Sequence, residues 1–323
     1  MSSLEELVDR GAISTRVALA GLTTYKFGGA ASWYAEAASP VELAEIVEAA
    51  IASAVPYLIV GRGSNLVISD AGFEGVVVKL SGELADFQLN DDGSVTAGAA
   101  VPLPKLARAA AKAGRGGLEF LVAVPGSVGG AVRMNAGCHG SETGEWLETV
   151  EVYRPGHGIL TIERTDLDMT YRHSSLPAGD VVLRARFRTE PRAPEDSEVI
   201  MREITAWRKE HQPGGTFNAG SVFKNPEGTS AGWLIDSIGL KGFAVGGARV
   251  SPKHANFFEA DATASAQDVF DLVALVRSKV EAETGVTLEP EIHFAGDFDL
   301  TSAESHSRGG IAGENEHGKV GEA

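Results

Sequence analysis

Polar side chains are concentrated in the segment NAGSVFKNP, residues 218–226, where a packed core would exclude them. Gly220 lets the backbone approach a ligand closely, because glycine has no Cβ. The Ser221 hydroxyl can donate a proton, while Lys224 and Asn225 can hold an anionic substrate. Asn, Gly and Ser are also the common residues of tight turns. The segment is therefore typical of a ligand site and of an ordinary turn alike.

Two glycine-rich segments could bring backbone amides close to a large ligand. GRGSNL, residues 61–66, follows a predicted strand and could bind an anion through its amides. It is not a Rossmann fingerprint, since Leu66 stands in place of the third glycine. VPGSVGGAVRMNAG, residues 124–137, has four glycines with Ser127 and Asn135 in one predicted loop, and it lacks the GKS or GKT of a Walker A loop. Together the segments suit a dinucleotide with a central pyrophosphate, although either could be a plain turn.

Arg172 and Glu291 are charged residues whose positions in the sequence do not show whether they belong to a site. Arg172 follows Tyr171 in the segment DMTYRHSSL, just before a predicted strand, where an arginine commonly makes a solvated surface pair. Glu291 alternates with Ile292 in the last predicted strand, where a carboxylate commonly faces solvent. Neither residue predicts a site by itself.

The helices and strands predicted around these segments are mixed in a way that favours an α+β fold. Residues 39–54 begin with Ser39, Pro40 and Glu42, a capping box with proline at the first helical position, and continue with helical apolar spacing. A Pro- and Glu-rich linker at 189–198 precedes the last third of the chain. The other predicted helices are 104–114, 198–210, 231–238 and 265–283, and the predicted strands are 57–60, 75–80, 148–154, 158–162, 181–189 and 287–296.

Length and composition restrict the class of protein. A chain of 323 residues is too long for one ordinary core and should form two or three domains. Its net charge of −16 disfavours a binder of nucleic acid or of membrane surfaces. The single cysteine, Cys138, excludes an internal disulfide, and the histidines lack HxxxH or HExxH spacing, so no metal site is expected. The N-terminus is not a secretory signal and no apolar run approaches the roughly 20 residues of a membrane span, which predicts a cytoplasmic protein.

In this order, the motifs resemble those of the UDP-N-acetylenolpyruvoylglucosamine reductase family, flavoenzymes that make UDP-N-acetylmuramate for bacterial peptidoglycan and so serve cell-wall biogenesis, cell shape and cell division. The resemblance implies an FAD-binding domain of the vanillyl-alcohol-oxidase type, made of two α+β subdomains at 1–80 and 81–192, and a C-terminal α+β substrate-binding domain at 193–298. The polar tail at 299–323 is expected to be disordered, with no catalytic part. The resemblance covers residues 20–296 and is carried by TTYKFGGAASWY (23–34), GRGSNL, VPGSVGGAVRMNAG, YRHS, NAGSVFKNP, AGWLIDSIGLKGFAVGGARVSPKHANFF (231–258) and LEPEIHF.

The resemblance also implies site residues, each at a position of this sequence that matches a motif. It implies that Tyr171, Lys224 and Asn225 bind the substrate, and that Ser221, Arg172 and Glu291 are catalytic. The residues implied to bind non-covalent FAD are Gly61, Arg62, Gly63, Ser64, Asn65, Leu66, Pro125, Gly126, Ser127, Val128, Gly129, Gly130, Asn135, Ala136 and Gly137.

The implied reaction has two halves. NADPH gives a hydride to the flavin and leaves, and UDP-N-acetylglucosamine enolpyruvate then takes the hydride from flavin N5. Ser221 matches the proton donor to the adjacent carbon, and a hydroxyl can act so if its neighbours lower its pKa. Arg172 and Glu291 match the two residues at the substrate carboxylate, to which arginine offers a bidentate fork.

Two residues depart from the commoner pattern of the family. Arg62 could add a phosphate contact or point to solvent, and Arg133 replaces a commoner aromatic residue near the expected flavin. The short spacing between Arg172 and Ser221 leaves no room for the extra substrate-capping segment of one class of the family, which favours the shorter class.

Two other hypotheses stay open at this point. Another flavoprotein oxidoreductase of the same fold would need no Ser221, Arg172 and Glu291 together. A flavin-binding module without turnover would be indifferent to substitution of Ser221. We expect a monomer that binds a small-molecule substrate and neither nucleic acid nor membrane.

Overall fold

A computed structural model describes residues 2–215 and 217–301. In these ranges the α-helices are α1 (Leu4–Asp9), α2 (Pro40–Ala52), α3 (Leu103–Lys112), α4 (Val128–Arg133), α5 (Thr143–Trp146), α6 (Pro194–His211), α7 (Ala231–Ser237) and α8 (Ala266–Thr284). The first ten strands are β1 (Ser14–Ala18), β2 (Ala30–Ala37), β3 (Tyr57–Val60), β4 (Leu66–Ile68), β5 (Phe73–Leu80), β6 (Phe87–Leu89), β7 (Val95–Gly98), β8 (Arg115–Gly116), β9 (Gly137–Cys138) and β10 (Ser141–Glu142). The others are β11 (Leu147–Arg154), β12 (Gly158–Glu163), β13 (Met169–Thr170), β14 (His173–Ser174), β15 (Val181–Phe187), β16 (Glu190–Pro191), β17 (Ala244–Val245), β18 (Ala248–Val250), β19 (Phe258–Ala260) and β20 (His293–Ala295).

The first unit is a mixed sheet with the strand order β1, β2, β5, β3, in which β5 runs parallel to both of its neighbours. Successive residues of β5, Val76 to Val78, are fully buried, as expected of a central parallel strand covered on both faces. Helix α2 covers one face. The Ser39 side chain accepts from the Glu42 N–H, but the Glu42 carboxylate accepts from the Ala38 N–H. The predicted capping box is therefore displaced by one residue.

The second unit is an antiparallel sheet of five strands, ordered β12, β11, β15, β7, β6. Its core is continuous with that of the first unit, since α2 and α3 contribute to one buried cluster. The segment 124–137, predicted as a single loop, contains α4. A helix forms there because Val128, Ala131 and Val132 recur at helical spacing and are all buried.

The third unit consists of the small sheet β17–β18–β19 with α7 and α8. Helix α8 begins with a capping box between Ser265 and Asp268, and it ends at Gly285, which adopts a left-handed φ of 72°. The core of this unit also includes Tyr25 from the N-terminal part of the chain, whose buried hydroxyl donates to the Phe258 carbonyl at 3.0 Å. The first and third units are therefore joined through side chains far apart in sequence.

Helix α6 packs on the second unit, although the sequence placed it in the third domain. It contacts the short 3₁₀-helix Glu119–Ala123, and its Met201 belongs to the core of the first two units. Buried Glu119 accepts from the Ser197 hydroxyl at 2.6 Å, which fixes the start of the helix. The domain limits stay a prediction, and this packing favours a boundary after α6.

The last predicted strand, 287–296, is shorter in the structure. Only β20 is extended, and it pairs in parallel with β4. Pro290 has no N–H to donate to a ladder, and it makes a single bridge to Phe223. The predicted tail begins at Asp299, whose N–H donates to the Gln267 side chain, and from residue 302 on it lies outside the described residues. Among the described helices, none combines the length and the apolarity that a bilayer crossing requires.

Candidate functional site

Arg172 lies in the two-residue turn of a short hairpin formed by β13 and β14. Its φ is 56°, a left-handed conformation that is uncommon for a residue with a Cβ and that occurs often at functional sites. Its Nε donates to Glu291 Oε1 at 2.7 Å. The two side chains are 19% and 15% exposed, so the ion pair is shielded from bulk water. The structure thus brings together two residues 119 positions apart in sequence.

Glu291 lies in irregular backbone just before β20, not in the strand as predicted. Burial raises the pKa of its carboxyl, while the charges of Arg172 and Lys224 and the hydrogen bond from Arg172 act to lower that pKa. The net direction is upward, because removing the carboxylate from water costs more than these partners return. Protonation of Glu291 is therefore easier than that of an exposed glutamate.

Ser221 is connected to Glu291 through Val222, the next residue along the backbone. The Glu291 N–H donates to the Val222 carbonyl at 2.7 Å, and Ser221 itself forms a bridge with Phe257. Gly220 immediately before it has a φ of 78°, and its N–H donates to the Asn218 side chain at 3.0 Å. The left-handed glycine turns the chain so that half-buried Ser221 enters the extended segment that faces Glu291.

The predicted substrate-binding residues lie around the same ion pair. Lys224 Nζ donates to Glu289 at 2.6 Å, so its charge is partly compensated in this structure. The Asn225 N–H donates to the Tyr171 hydroxyl at 3.3 Å, and its side-chain oxygen accepts from the Ala231 N–H at the start of α7. The exposed Tyr171 ring lies under the Arg172 guanidinium, whose central carbon is 5.0 Å from the ring centroid.

The two glycine-rich segments, far apart in sequence, lie against each other. A Cβ placed on Gly61 would overlap the Ser127 hydroxyl, so a larger residue at position 61 would require the Ser127 side chain to move. Ser64 Oγ would be 3.9 Å from a Cβ on Gly126. Gly61, Pro125 and Gly130 are exposed around this contact, and we call the two segments together the cradle, because glycine-rich backbone of this kind can bind a phosphate-containing cofactor.

Hydrogen bonds connect the first glycine segment to the ion-pair region. The Asn65 side chain donates to the Glu291 carbonyl at 3.0 Å, and the Asn65 carbonyl accepts from the His293 N–H. Thr24 forms a second connection, because its hydroxyl donates to the Asn218 carbonyl at 2.7 Å while its N–H donates to the Gly63 carbonyl. The first glycine segment and the backbone that carries Glu291 are therefore directly linked.

Asn135 and Arg133 hold the chain together and do not present their side chains to a ligand. Asn135 is fully buried; its side chain donates to the Thr170 carbonyl at 2.9 Å and accepts from the Gly144 N–H at 2.8 Å. Thr170 directly precedes the Tyr171–Arg172 turn. Arg133 donates to the Leu176, Pro177 and Asp180 carbonyls, so its guanidinium faces that loop, not the glycine segments.

The remaining cofactor candidates differ in exposure. Arg62 is exposed to solvent. The candidates with little or no exposed surface, in addition to Asn135, are Gly63, Ser127 and Val128. The half-buried or exposed ones are Gly61, Ser64, Asn65, Leu66, Pro125, Gly126, Gly129, Gly130, Ala136 and Gly137.

Two residues that organise the site were missed by the sequence analysis. Thr24 lies in the motif TTYKFGGAASWY and Asn256 lies in the motif ending HANFF, yet no role was assigned to either. Both make their contacts with residues distant in sequence, which no local pattern predicts.

Two family models match the chain. A model described as FAD binding domain matches residues 31–162. A model described as UDP-N-acetylenolpyruvoylglucosamine reductase, C-terminal domain, matches residues 212–295. With the observed sheets, these matches confirm the predicted α+β fold class, with an FAD-binding domain and a separate C-terminal domain.

Individual relatives agree with the family models. A UDP-N-acetylenolpyruvoylglucosamine reductase of Erythrobacter litoralis is 42% identical over 287 residues, which cover 89% of this chain and 88% of the relative. One of a Synechococcus strain is 42% identical, over 90% of this chain and 95% of the relative. The crystal structure of the reductase from Thermus caldophilus superposes with a TM-score of 0.78 at 38% identity, covering 88% of this chain and 99% of that one.

Proposed function

The chain belongs to the UDP-N-acetylenolpyruvoylglucosamine reductase family of flavin-dependent oxidoreductases, and on that premise we propose that it reduces UDP-N-acetylglucosamine enolpyruvate to UDP-N-acetylmuramate with NADPH. This places it in peptidoglycan synthesis in the cytoplasm. The observation that carries the proposal is the shielded Arg172–Glu291 pair beside the segment that bears Ser221. This arrangement offers a cation for a carboxylate and a hydroxyl for proton transfer in one place.

We assign non-covalent FAD to the two glycine segments, which approach each other closely because Gly61 has no Cβ to meet the Ser127 side chain. The Val128 and Gly129 N–H groups donate to the Val101 and Ala99 carbonyls, so the other N–H groups of residues 61–66 and 126–130 hold its pyrophosphate by hydrogen bonding. In this proposal Ala136 and Gly137 lie near the bound flavin, as the family motif implies. Bound FAD supplies hydride transfer between NADPH and the enolpyruvyl group.

Arg172 binds the substrate carboxylate and stabilises the negative charge that develops on it. Among the described residues, Glu291 is the one hydrogen-bond partner of its guanidinium, through Nε, which leaves both terminal nitrogens to form the fork. Glu291 orients Arg172 by accepting the hydrogen bond from its Nε. Ser221 delivers the proton that completes the reduction.

Lys224, Asn225 and Tyr171 bind the nucleotide end of the substrate. An acidic protein needs local positive charge to hold a diphosphate, and the Lys224 ammonium supplies it when the exposed Glu289 carboxylate releases it. The exposed side chain of Asn225 adds amide donors beside the Tyr171 ring.

The first experiment establishes whether the purified protein carries flavin and consumes NADPH only in the presence of UDP-N-acetylglucosamine enolpyruvate. The second uses Ser221→Ala in rapid-mixing measurements of the two half-reactions. Flavin reduction by NADPH should proceed as in the wild type, while reoxidation by the substrate should slow by about 10²- to 10⁴-fold, the usual contribution of a general acid.

The matched control is Ser237→Ala, which removes an exposed hydroxyl from the end of α7 and should change neither half-reaction. A colourless protein that cannot be reconstituted with FAD would contradict the proposed activity. Equal losses in both half-reactions of Ser221→Ala would contradict the role of Ser221.

A further inference from the structure

Asn256 lies at the centre of the contacts that hold the segment bearing Ser221. It is 3% exposed. Its side-chain oxygen accepts from the Phe223 N–H at 2.9 Å, and its side-chain nitrogen donates to the Phe223 carbonyl at 2.8 Å. Its own backbone carbonyl accepts from the Val222 N–H at 2.9 Å. One residue therefore satisfies three of the four backbone polar groups of Val222 and Phe223, the two buried residues that follow Ser221.

These bonds replace a regular strand pairing that is absent at this place in the described structure. Residues 221–223 form only single bridges, from Ser221 to Phe257 and from Phe223 to Pro290. The side-chain amide of Asn256 takes the place of the paired N–H and carbonyl of a neighbouring strand. It thereby fixes the position and the direction of residues 221–223.

The opposite edge of the segment meets the backbone that carries Glu291. The Val222 carbonyl accepts from the Glu291 N–H at 2.7 Å, and the Lys224 N–H donates to the Glu289 carbonyl at 2.9 Å. The segment is thus held between Asn256 on one side and residues 289–291 on the other. A shift at Asn256 changes the position of the Ser221 hydroxyl relative to the Arg172–Glu291 pair.

We propose that Asn256 is a positioning residue for proton transfer, which holds Ser221 in register with Glu291 through its two hydrogen bonds to Phe223. The inference rests on the proposed role of Ser221 as proton donor. Asn256 touches neither substrate nor cofactor in this role, and its effect is confined to the half-reaction that needs the proton.

Asn256→Asp tests the proposal because it keeps the shape of the side chain and makes one of its two bonds depend on pH. A protonated aspartic acid can still donate to the Phe223 carbonyl, whereas an ionised one places a negative oxygen against it. At pH 8 we expect substrate-driven reoxidation to slow by roughly tenfold to 100-fold, since a misplacement on the order of 1 Å can have such an effect. The rate should recover as the pH is lowered, with flavin reduction by NADPH unchanged throughout.

Because other titratable groups lie around Asn256, the variant must be compared with the wild type at each pH. His254 Nδ1 accepts from the Asn256 N–H at 3.3 Å, and Glu291 and Lys224 lie on the far side of the segment. The measured quantity is therefore the ratio of variant to wild-type rate, in which the titration of these shared groups cancels. Asn90→Asp is the matched control, because the Asn90 side chain donates to Ser94 and Thr96 in another part of the fold and should show a constant ratio.

A ratio for Asn256→Asp that stays constant with pH, or an equal loss in both half-reactions, would overturn the positioning role. If that variant does not retain flavin, Asn256→Ser is measured in its place. Its rate of flavin reoxidation by the substrate should fall, while its rate of flavin reduction by NADPH should not. Failure of the underlying function is distinguishable, because Ser221→Ala would then leave reoxidation unaffected whatever the behaviour of Asn256→Asp.

Discussion

Replacing Arg172 by lysine separates the geometry of the guanidinium from its charge. Arg172 commits Nε to Glu291 and keeps its two terminal nitrogens for a bidentate contact with a carboxylate. Lysine preserves the charge and can pair with Glu291. Its ammonium is a point charge, however, and cannot make the bidentate contact of the guanidinium with a carboxylate. The loss is one charge-assisted hydrogen bond in a shielded site, about 1.5–3 kcal/mol. Since about 1.4 kcal/mol corresponds to a factor of ten, kcat/KM for the enolpyruvyl substrate should fall roughly 10- to 150-fold.

The assay combines steady-state kinetics with rapid-mixing measurement of each half-reaction. Flavin reduction by NADPH should match the wild type, because the substrate carboxylate takes no part in it. Arg108→Lys is the matched control: it changes an exposed arginine on α3 that donates only to the Pro104 carbonyl of its own helix among the described residues. An unchanged kcat/KM in Arg172→Lys, or an equal loss in both half-reactions, would refute the assignment of the fork to the substrate.

Two further predictions concern the pKa of Glu291 and the contact between the glycine segments. A carboxyl whose pKa is raised by folding stabilises the fold at low pH, and this contribution is lost as the pH rises through the raised pKa. Relative to wild type, Glu291→Gln should therefore gain stability as thermal unfolding is measured from pH 4 to pH 8. Gly61→Ala forces a methyl group into the Ser127 hydroxyl, and overpacking of about 1–3 kcal/mol should weaken FAD binding roughly five- to 150-fold in fluorescence titrations of the apoprotein. Adding Ser127→Ala should restore binding, and Gly214→Ala, which meets nothing, should leave it unchanged.

Opposite trends would count against each of these predictions. If Glu291→Gln instead lost stability relative to wild type as the pH rises, that result would contradict the argument that burial raises the pKa of Glu291. Normal FAD affinity in Gly61→Ala, or no recovery in the double variant, would show that the contact between the glycine segments does not shape the cofactor site.

Local physics explains which helices the sequence predicted well. The predicted helix 265–283 corresponds to α8, because Ser265 caps it, Gly285 ends it and its apolar spacing matches the helical period. The segment 124–137 was mistaken for a loop because its glycines disfavour a helix in isolation. Burial of Val128 and Ala131 in the shared core outweighs that preference, and a tertiary effect of this kind is not visible in a local pattern.

The candidate site was predicted only in part. Ser221, Arg172 and Glu291 were selected by resemblance, and the structure supplies what resemblance does not contain: the 2.7 Å contact between the second and third of them. Glu291 was expected in a strand because its neighbours alternate in polarity, but Pro290 interrupts the ladder there. The pairing of Asn256 with Phe223 depends on two loops meeting across the third unit, so the sequence could not indicate it.

The pairing of β4 with β20 bears on how the chain acquires its site during synthesis. Asn65 and Glu291 are 226 residues apart. Nearly the whole described chain must therefore be synthesised before the first glycine segment can contact residues 291–295. Contacts of such separation form late, since the entropy of closing the intervening chain must be met first. Until then the edge of β4 is unpaired and open to association with other chains. Interrupting synthesis before residue 290 therefore leaves a chain that has the cofactor segments but lacks both the carboxylate and the strand that covers this edge.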